Sequence, residues 1–179
     1  MLNLTNLEKQ GVGLAARQAL ARRFYADYFM LANPSMRMYK HTQYIADKLQ
    51  KIIDGEQHFY IISMPPQHGK SLTITKTFPS YYLMQNPDKH AMIVAYSQDL
   101  YSQFATSNRR AFSDLSGDLF GLTTSKNTSQ TFDIADHRGG FYATSVLGGA
   151  TGMSADLLVI DDPVKNAEEA SSPTIKEKI

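Results

Sequence analysis

The stretch Met64-Pro-Pro-Gln-His-Gly-Lys-Ser71 sets a glycine, a lysine and a hydroxyl side by side where a short apolar run gives way to a helical pattern. Each of these residue types has a use for phosphate. Backbone amides that bend into a helix start form a concave anion site, and the helix N-terminus adds partial positive charge. Gly69 lets the backbone come close, Lys70 can reach the β and γ phosphates of a nucleotide such as ATP, and the Ser71 hydroxyl suits Mg2+. The residues expected to contact nucleotide are Pro66, Gln67, His68, Gly69, Lys70, Ser71 and Leu72. The match to GxxxxGK[ST] is a variant, since Met64 stands at its first glycine.

A second constellation is LLVIDD, residues 157–162, in which an apolar run ends in two acids. A carboxylate at the carboxyl end of a strand can hold Mg2+, and its neighbour can orient and deprotonate an attacking water. Asp161 is assigned to the metal with Ser71, and Asp162 to the water. Hydrolysing ATPases of this kind mostly carry Glu at the second position, so Asp162 is one methylene shorter. Arg109 and Arg110 are candidates for a finger inserted into a neighbouring subunit's site, with Arg138 in a turn as a weaker one. The other reading for each is a solvated surface arginine. Gln43 could read the adenine edge or simply face water. Gly148-Gly149-Ala-Thr-Gly152 is either a loop that senses nucleotide or polymer, or a tight connection needing positive φ. His68 lacks partner histidines at zinc-ligand spacing.

The elements that must carry these residues follow from periodicity. Leu14, Leu20, Phe24, Tyr28 and Leu31 predict one helix over 14–31, ended by Asn33-Pro34. Tyr44, Ile45, Leu49, Ile52 and Ile53 predict a second, ended at Asp54-Gly55. Residues 58–64 read as a buried strand stopped by Pro65-Pro66. A helical stretch then runs from Lys70 towards Gln85, kinked or divided at Pro79. Next come a strand at 90–97, a helix at 98–115 with Leu100, Phe104, Ala111 and Leu115 on one face, and a polar surface excursion at 116–130. Residues 131–135 and 140–146 read as a β-hairpin, 156–162 as an apolar strand, and the terminus as helical. The expected fold class is α/β, a P-loop NTPase with a mainly parallel sheet flanked by helices, behind an amino-terminal helical segment. The division expected is 1–55 for that segment and 56–179 for the ATPase core. The aromatics Tyr25, Tyr28, Phe29, Tyr81 and Tyr82 read as packing, not as base platforms.

Composition bounds what such a chain can be. With 179 residues, 42% of them hydrophobic and 20% charged, it is expected to form one globular domain rather than a disordered or low-complexity chain. The absence of cysteine removes disulfide scaffolds, thiolate zinc sites and cysteine nucleophiles. No apolar run approaches the ~20 residues of a membrane span, and the start lacks a signal-peptide pattern, so a cytoplasmic protein is expected. The net charge is +1, yet residues 1–55 hold eight Lys and Arg against four Asp and Glu. Contact with nucleic acid would therefore fall to a local patch.

With these motifs on the page, the sequence resembles the large subunit of tailed-phage terminases. The resemblance rests on PPQHGKS at 65–71, FPSYYLMQNPDKHAMIVAYSQDL at 78–100, GGFYATSVLGGATGMSADLLVIDDPVKNAEEA at 139–170, and Ser172. It implies hydrolysis of ATP with Mg2+, coupled to movement of double-stranded DNA into a procapsid. Implied partners are the portal protein, a small terminase subunit and copies of the chain in a ring, in the host cytoplasm at the assembling capsid. The chain in isolation is also compatible with a monomer. Where the family carries an arginine that has been considered a finger in cis, this chain has Gln67, which makes Arg109 or Arg110 acting from a neighbour more attractive. The family's coupling motif and its ribonuclease H-like nuclease domain are not in this sequence. The chain is accordingly expected to be the amino-terminal ATPase portion without nuclease activity, ending before the last core strand. Two other functions fit the same motifs: a helicase-like P-loop ATPase acting on nucleic acid, and a nucleotide-binding assembly scaffold with little turnover.

Overall fold

Three helices open the chain in the computed structural model, which describes residues 6–146, 148 and 154–163, with the side chains of 6–12 excepted. They are α1 (Asn6–Ala21), α2 (Tyr25–Ala32) and α3 (Lys40–Ile53). The single helix expected over 14–31 is two, and tertiary contacts explain the break. Arg22 donates from its guanidinium to the Leu119 and Asp118 carbonyls, its own carbonyl accepts from Gln85, and the Tyr25 amide donates to Gln50 Oε1 at 2.8 Å. Propensity would continue the helix; these long-range bonds interrupt it. The second helix ends as expected, with Gly55 at φ 92° beyond Asp54.

Residues 58–64 hold no regular secondary structure and form no strand pairing among the described residues, which corrects the expected buried strand. Tyr60, Ile62 and Met64 are half-buried, whereas Phe59 and Ile61 are fully exposed. The apolar residues on both faces suggested burial on both; packing reaches only one. Beyond Pro65-Pro66 comes a single π-helical turn, Leu72–Lys76, a break at Thr77, and α4 (Phe78–Gln85) with Pro79 in its first turn. Proline is accommodated there because a first-turn amide has no intrahelical partner to lose.

The remaining elements are β1 (His90–Ala95), α5 (Gln98–Phe120), β2 (Thr124–Asn127), β3 (Thr131–Ile134), β4 (Gly140–Ser145) and β5 (Leu157–Asp161). Helix α5 outruns its expected end by five residues and is capped by Gly121, and the polar excursion holds an edge strand, β2. An exposed polar strand such as TSKN has no hydrophobic alternation to announce it. The buried stripe of α5 is Tyr101, Phe104, Ala105, Asn108, Phe112, Ser116 and Leu119, offset from the predicted one because two polar residues sit on it. Leu100, Ala111 and Leu115 flank it, half-buried.

The five strands form one sheet in the order β2-β3-β4-β1-β5. Strands β4, β1 and β5 run parallel, while β2, β3 and β4 pair antiparallel, so the sheet is mixed where a mainly parallel one was expected. Helices α4 and α5 pack against its central strands. Register puts Ala91, Ile93, Ala95, Leu157, Val159, Asp161, Phe141 and Ala143 on one, buried, face. The core continues through Phe112, Phe132 and Phe141, and into Tyr25, Tyr28, Phe29, Phe78 and Tyr81 from the amino-terminal helices and α4. The opposite face is more open, with Leu158 at 54% and Ile160 at 58% exposure. The predicted terminal helix lies outside the described residues.

Candidate functional site

Parallel pairing of β5 with β1 brings the end of β5 level with Ala95, and there the chain delivers its two acids. Asp161 is the last residue of the strand and 4% exposed; Asp162, just beyond, is 65% exposed at its side chain. Tyr96 extends the contact past the ladder by donating its amide to the Asp162 carbonyl at 3.1 Å. The loop of residues 65–69 arrives opposite. Two prolines without backbone donors follow the irregular segment, Gln67 takes φ 63° and Gly69 φ 82°, and the helical turn begins at Lys70. Gly69 adopts that conformation without steric cost; Gln67, a side chain in the left-handed region, does not.

Lys70 is the junction of loop and strand. Its Nζ lies 2.8 Å from Asp161 Oδ1 and 3.2 Å from Asp162 Oδ1. Thr75 Oγ1 donates to the other oxygen of Asp161 at 2.7 Å. Burial alone pushes the Asp161 carboxyl upward, but hydrogen bonds from Lys70, Thr75 and Ser71, with the Lys70 charge, outweigh it and hold the group below the ordinary aspartate range. Partial burial pulls Lys70 down, and the two aspartates more than reverse this, so the lysine stays firmly protonated. At 30% side-chain exposure the lysine keeps water on one side, whereas Asp161 depends on its protein partners.

The arrangement suits a phosphate and a hard cation. Ser71, Asp161 and Asp162 offer hydroxyl and carboxylate oxygens only, donors of the kind that suit a hard cation such as Mg2+. Among the described residues no three His, Cys, Asp or Glu gather as a metal cage. Magnesium needs none, since it is usually held by one or two carboxylates together with substrate phosphates.

The other predicted residues are more scattered. His68 is exposed and donates from Nδ1 to the Pro66 carbonyl at 2.8 Å, and it meets His41 of α3, whose Nε2 donates to the His68 carbonyl at 3.1 Å. Pro66 is exposed, and Leu72 packs half-buried against the core. Gln43 sits two residues beyond His41 in an open hollow of ≈370 Å³ with Met38, Tyr39, Lys40, Tyr44 and Asp47, and donates to Asp47 at 2.7 Å. Arg109 donates to the Thr128 carbonyl in the β2–β3 turn, while Arg110 is exposed. Arg138 is exposed and its amide donates to Asp88 at 3.1 Å, beside β4's start and away from the lysine cluster. Gly149 to Gly152 and Ser172 lie outside the described residues.

Two residues escaped the sequence reading. Thr75 is one of several threonines in LTITKT and carries no motif signal. Asn108, fully buried on α5, accepts from the Ser80 amide at 3.0 Å and donates to the Thr75 carbonyl at 2.8 Å. A polar residue on the apolar stripe of α5 was the available hint.

Comparison with known families gives one match: the family model described as "Terminase large subunit, T4likevirus-type, N-terminal" covers residues 61–179. No curated protein and no solved structure matches significantly.

Proposed function

We propose, from the premise that this chain belongs to the T4-type terminase large-subunit family as its N-terminal portion, that the Lys70 cluster binds and hydrolyses ATP to drive DNA packaging. The observation that carries this reading is the convergence of Lys70 with Asp161 and with Asp162, the latter 92 residues along the chain, at the carboxyl end of a parallel strand. Ligands of α/β sheets bind at that end.

In this reading the amides of 66–70 and the Lys70 ammonium hold the β and γ phosphates, and Lys70 exchanges part of its pairing with the aspartates for the phosphate oxygens. Ser71 and Asp161 hold Mg2+, which when bound neutralises charge on the phosphates. Asp162 orients a water and takes its proton as the water oxygen attacks the γ phosphorus. The bond to the bridging oxygen breaks, and ADP leaves with that electron pair. Gln43, on the helix that reaches the loop through His41 and His68, is the proposed reader of the base. Arg110, exposed on α5, is a better proposed finger in trans than Arg109, whose guanidinium already serves Thr128.

The same reading makes residues 56–179 the ATPase core and 1–55 an amino-terminal helical segment. It assigns double-stranded DNA, the portal protein, the small terminase subunit and a ring of copies as partners, at the capsid in the host cytoplasm. No described helix is long and apolar enough to cross a membrane.

Nucleotide binding tests the reading. With a fluorescent ATP analogue, Lys70→Ala is expected to lose affinity at least tenfold, about 1.4 kcal/mol, while Asp162→Asn keeps affinity and loses turnover. Circular dichroism of each variant separates this from unfolding. Unchanged affinity in a folded Lys70→Ala protein overturns the phosphate assignment.

A further inference from the structure

Lys70 and Thr75 approach the two different oxygens of one carboxylate, and the local backbone makes this possible. Five residues apart on an α-helix, at 3.6 residues per turn, they would point about 140° away from each other. Between them residues Leu72–Lys76 form a π-helical turn, whose wider winding turns less per residue than an α-helix and so brings Thr75 back towards the side of Lys70. Such turns are uncommon and occur mostly at functional sites.

This wide turn is held from outside. Its Thr73 carbonyl accepts from the buried Tyr25 hydroxyl of α2, and its Thr75 carbonyl accepts from Asn108 of α5. A helical threonine commonly turns its hydroxyl back to a carbonyl of its own helix. Thr75 donates 86 residues along the chain to Asp161 instead, in a buried bond. With Oδ2 fixed by Thr75, Asp161 presents Oδ1 towards Lys70 and the loop.

We propose that Thr75 is a positioning residue for Asp161: its hydroxyl, on the π-helical turn that Asn108 holds by the Thr75 carbonyl, fixes the carboxylate so that the other oxygen faces the loop and the cation accompanying the nucleotide. The inference rests on the ATP-site reading and deepens it, since the turn becomes part of the cation site.

The test uses the full chain with Thr75→Val, which keeps the shape and removes the donor, and Thr75→Ser, which keeps the donor. Mn2+ binding is followed by electron paramagnetic resonance in the presence of a nonhydrolysable ATP analogue, and analogue binding without metal is measured separately. Thr75→Val is expected to weaken Mn2+ about 10- to 100-fold, the usual effect of removing a partner behind a metal ligand. Metal-free analogue binding stays at the wild-type value, and Thr75→Ser restores Mn2+ affinity. Wild-type Mn2+ affinity in Thr75→Val, or equal weakening in both variants, overturns the proposal. Should Thr75→Val fail to fold, Thr75→Cys, with its weak thiol donor, must show the same selective loss of Mn2+ affinity, and its absence overturns the proposal equally. A wild-type protein that binds no analogue overturns the ATP-site reading and this inference with it; one that binds analogue but ignores Thr75→Val overturns this inference alone.

Discussion

Gln67 at φ 63° and Asp162 at φ 47° bracket the Lys70 cluster, one in the loop and one just past β5. Side chains in the left-handed region cost free energy, and such residues persist where surrounding structure holds them, often at functional sites. Aspartate tolerates the conformation better than glutamine, so the greater strain lies in the loop. Charge at the far end of the sheet acts on stability instead. Asp156 accepts from the His90 amide at 2.8 Å and from Lys89 at 3.0 Å, tying the start of β5 to the start of β1. The His90 amide, and then Lys89, hold its carboxyl below the usual range despite a contrary push from burial. Its folded pKa thus lies under the unfolded value of about 3.9, so its contribution is present above that pH and is lost as pH falls through the folded value. Exposure of both partners screens the ion pair and keeps the effect modest. Thermal melts of wild type and Asp156→Asn are expected to differ at about pH 7 and to converge towards about pH 3. A gap that stays constant over that range contradicts the assignment.

Helices and strands with a clear apolar period were legible: α3, β1, the β3–β4 hairpin and β5 fall where their residues predict. Elements decided by tertiary contacts were not. Bonds from Arg22 and Gln50 cut one expected helix into α1 and α2, and the polar strand β2 owes its existence to pairing with β3. Residues 58–64 carry strand-forming side chains, but a strand also needs a neighbour. The π-helical turn belongs to this second group, since Asn108 and Tyr25 lie far from it in sequence. Asn108→Ala would leave the Ser80 amide and the Thr75 carbonyl without their partner. At about 1–3 kcal/mol for each of these two unsatisfied buried groups, the expected loss is about 2–6 kcal/mol in urea denaturation with an unchanged slope. A loss below about 0.5 kcal/mol, the usual scale of a neutral surface change, would show that the turn does not depend on Asn108.

Across the molecule, one face of the sheet is packed and the other leaves Leu158 and Ile160 open beside Met92 and Val94, which register puts on the same side. Parallel strands ordinarily bury both faces, and apolar surface of this kind commonly meets other protein. The family was readable from PPQHGKS and LLVIDD, and the family match over residues 61–179 agrees with that resemblance. The principal members of the candidate site were readable too, because their chemistry is local to short motifs. What no motif could convey is how loop and strand are aligned, which the β1–β5 register and the turn through Thr75 determine together. The most direct test is a crystal structure of the chain with a nonhydrolysable ATP analogue and Mg2+. The expected result is a triphosphate wrapped by residues 66–70, Lys70 on its phosphates, and one ion shared by Ser71 and Asp161. A nucleotide bound elsewhere, with Ser71 and Asp161 too far apart to share an ion, would contradict the account.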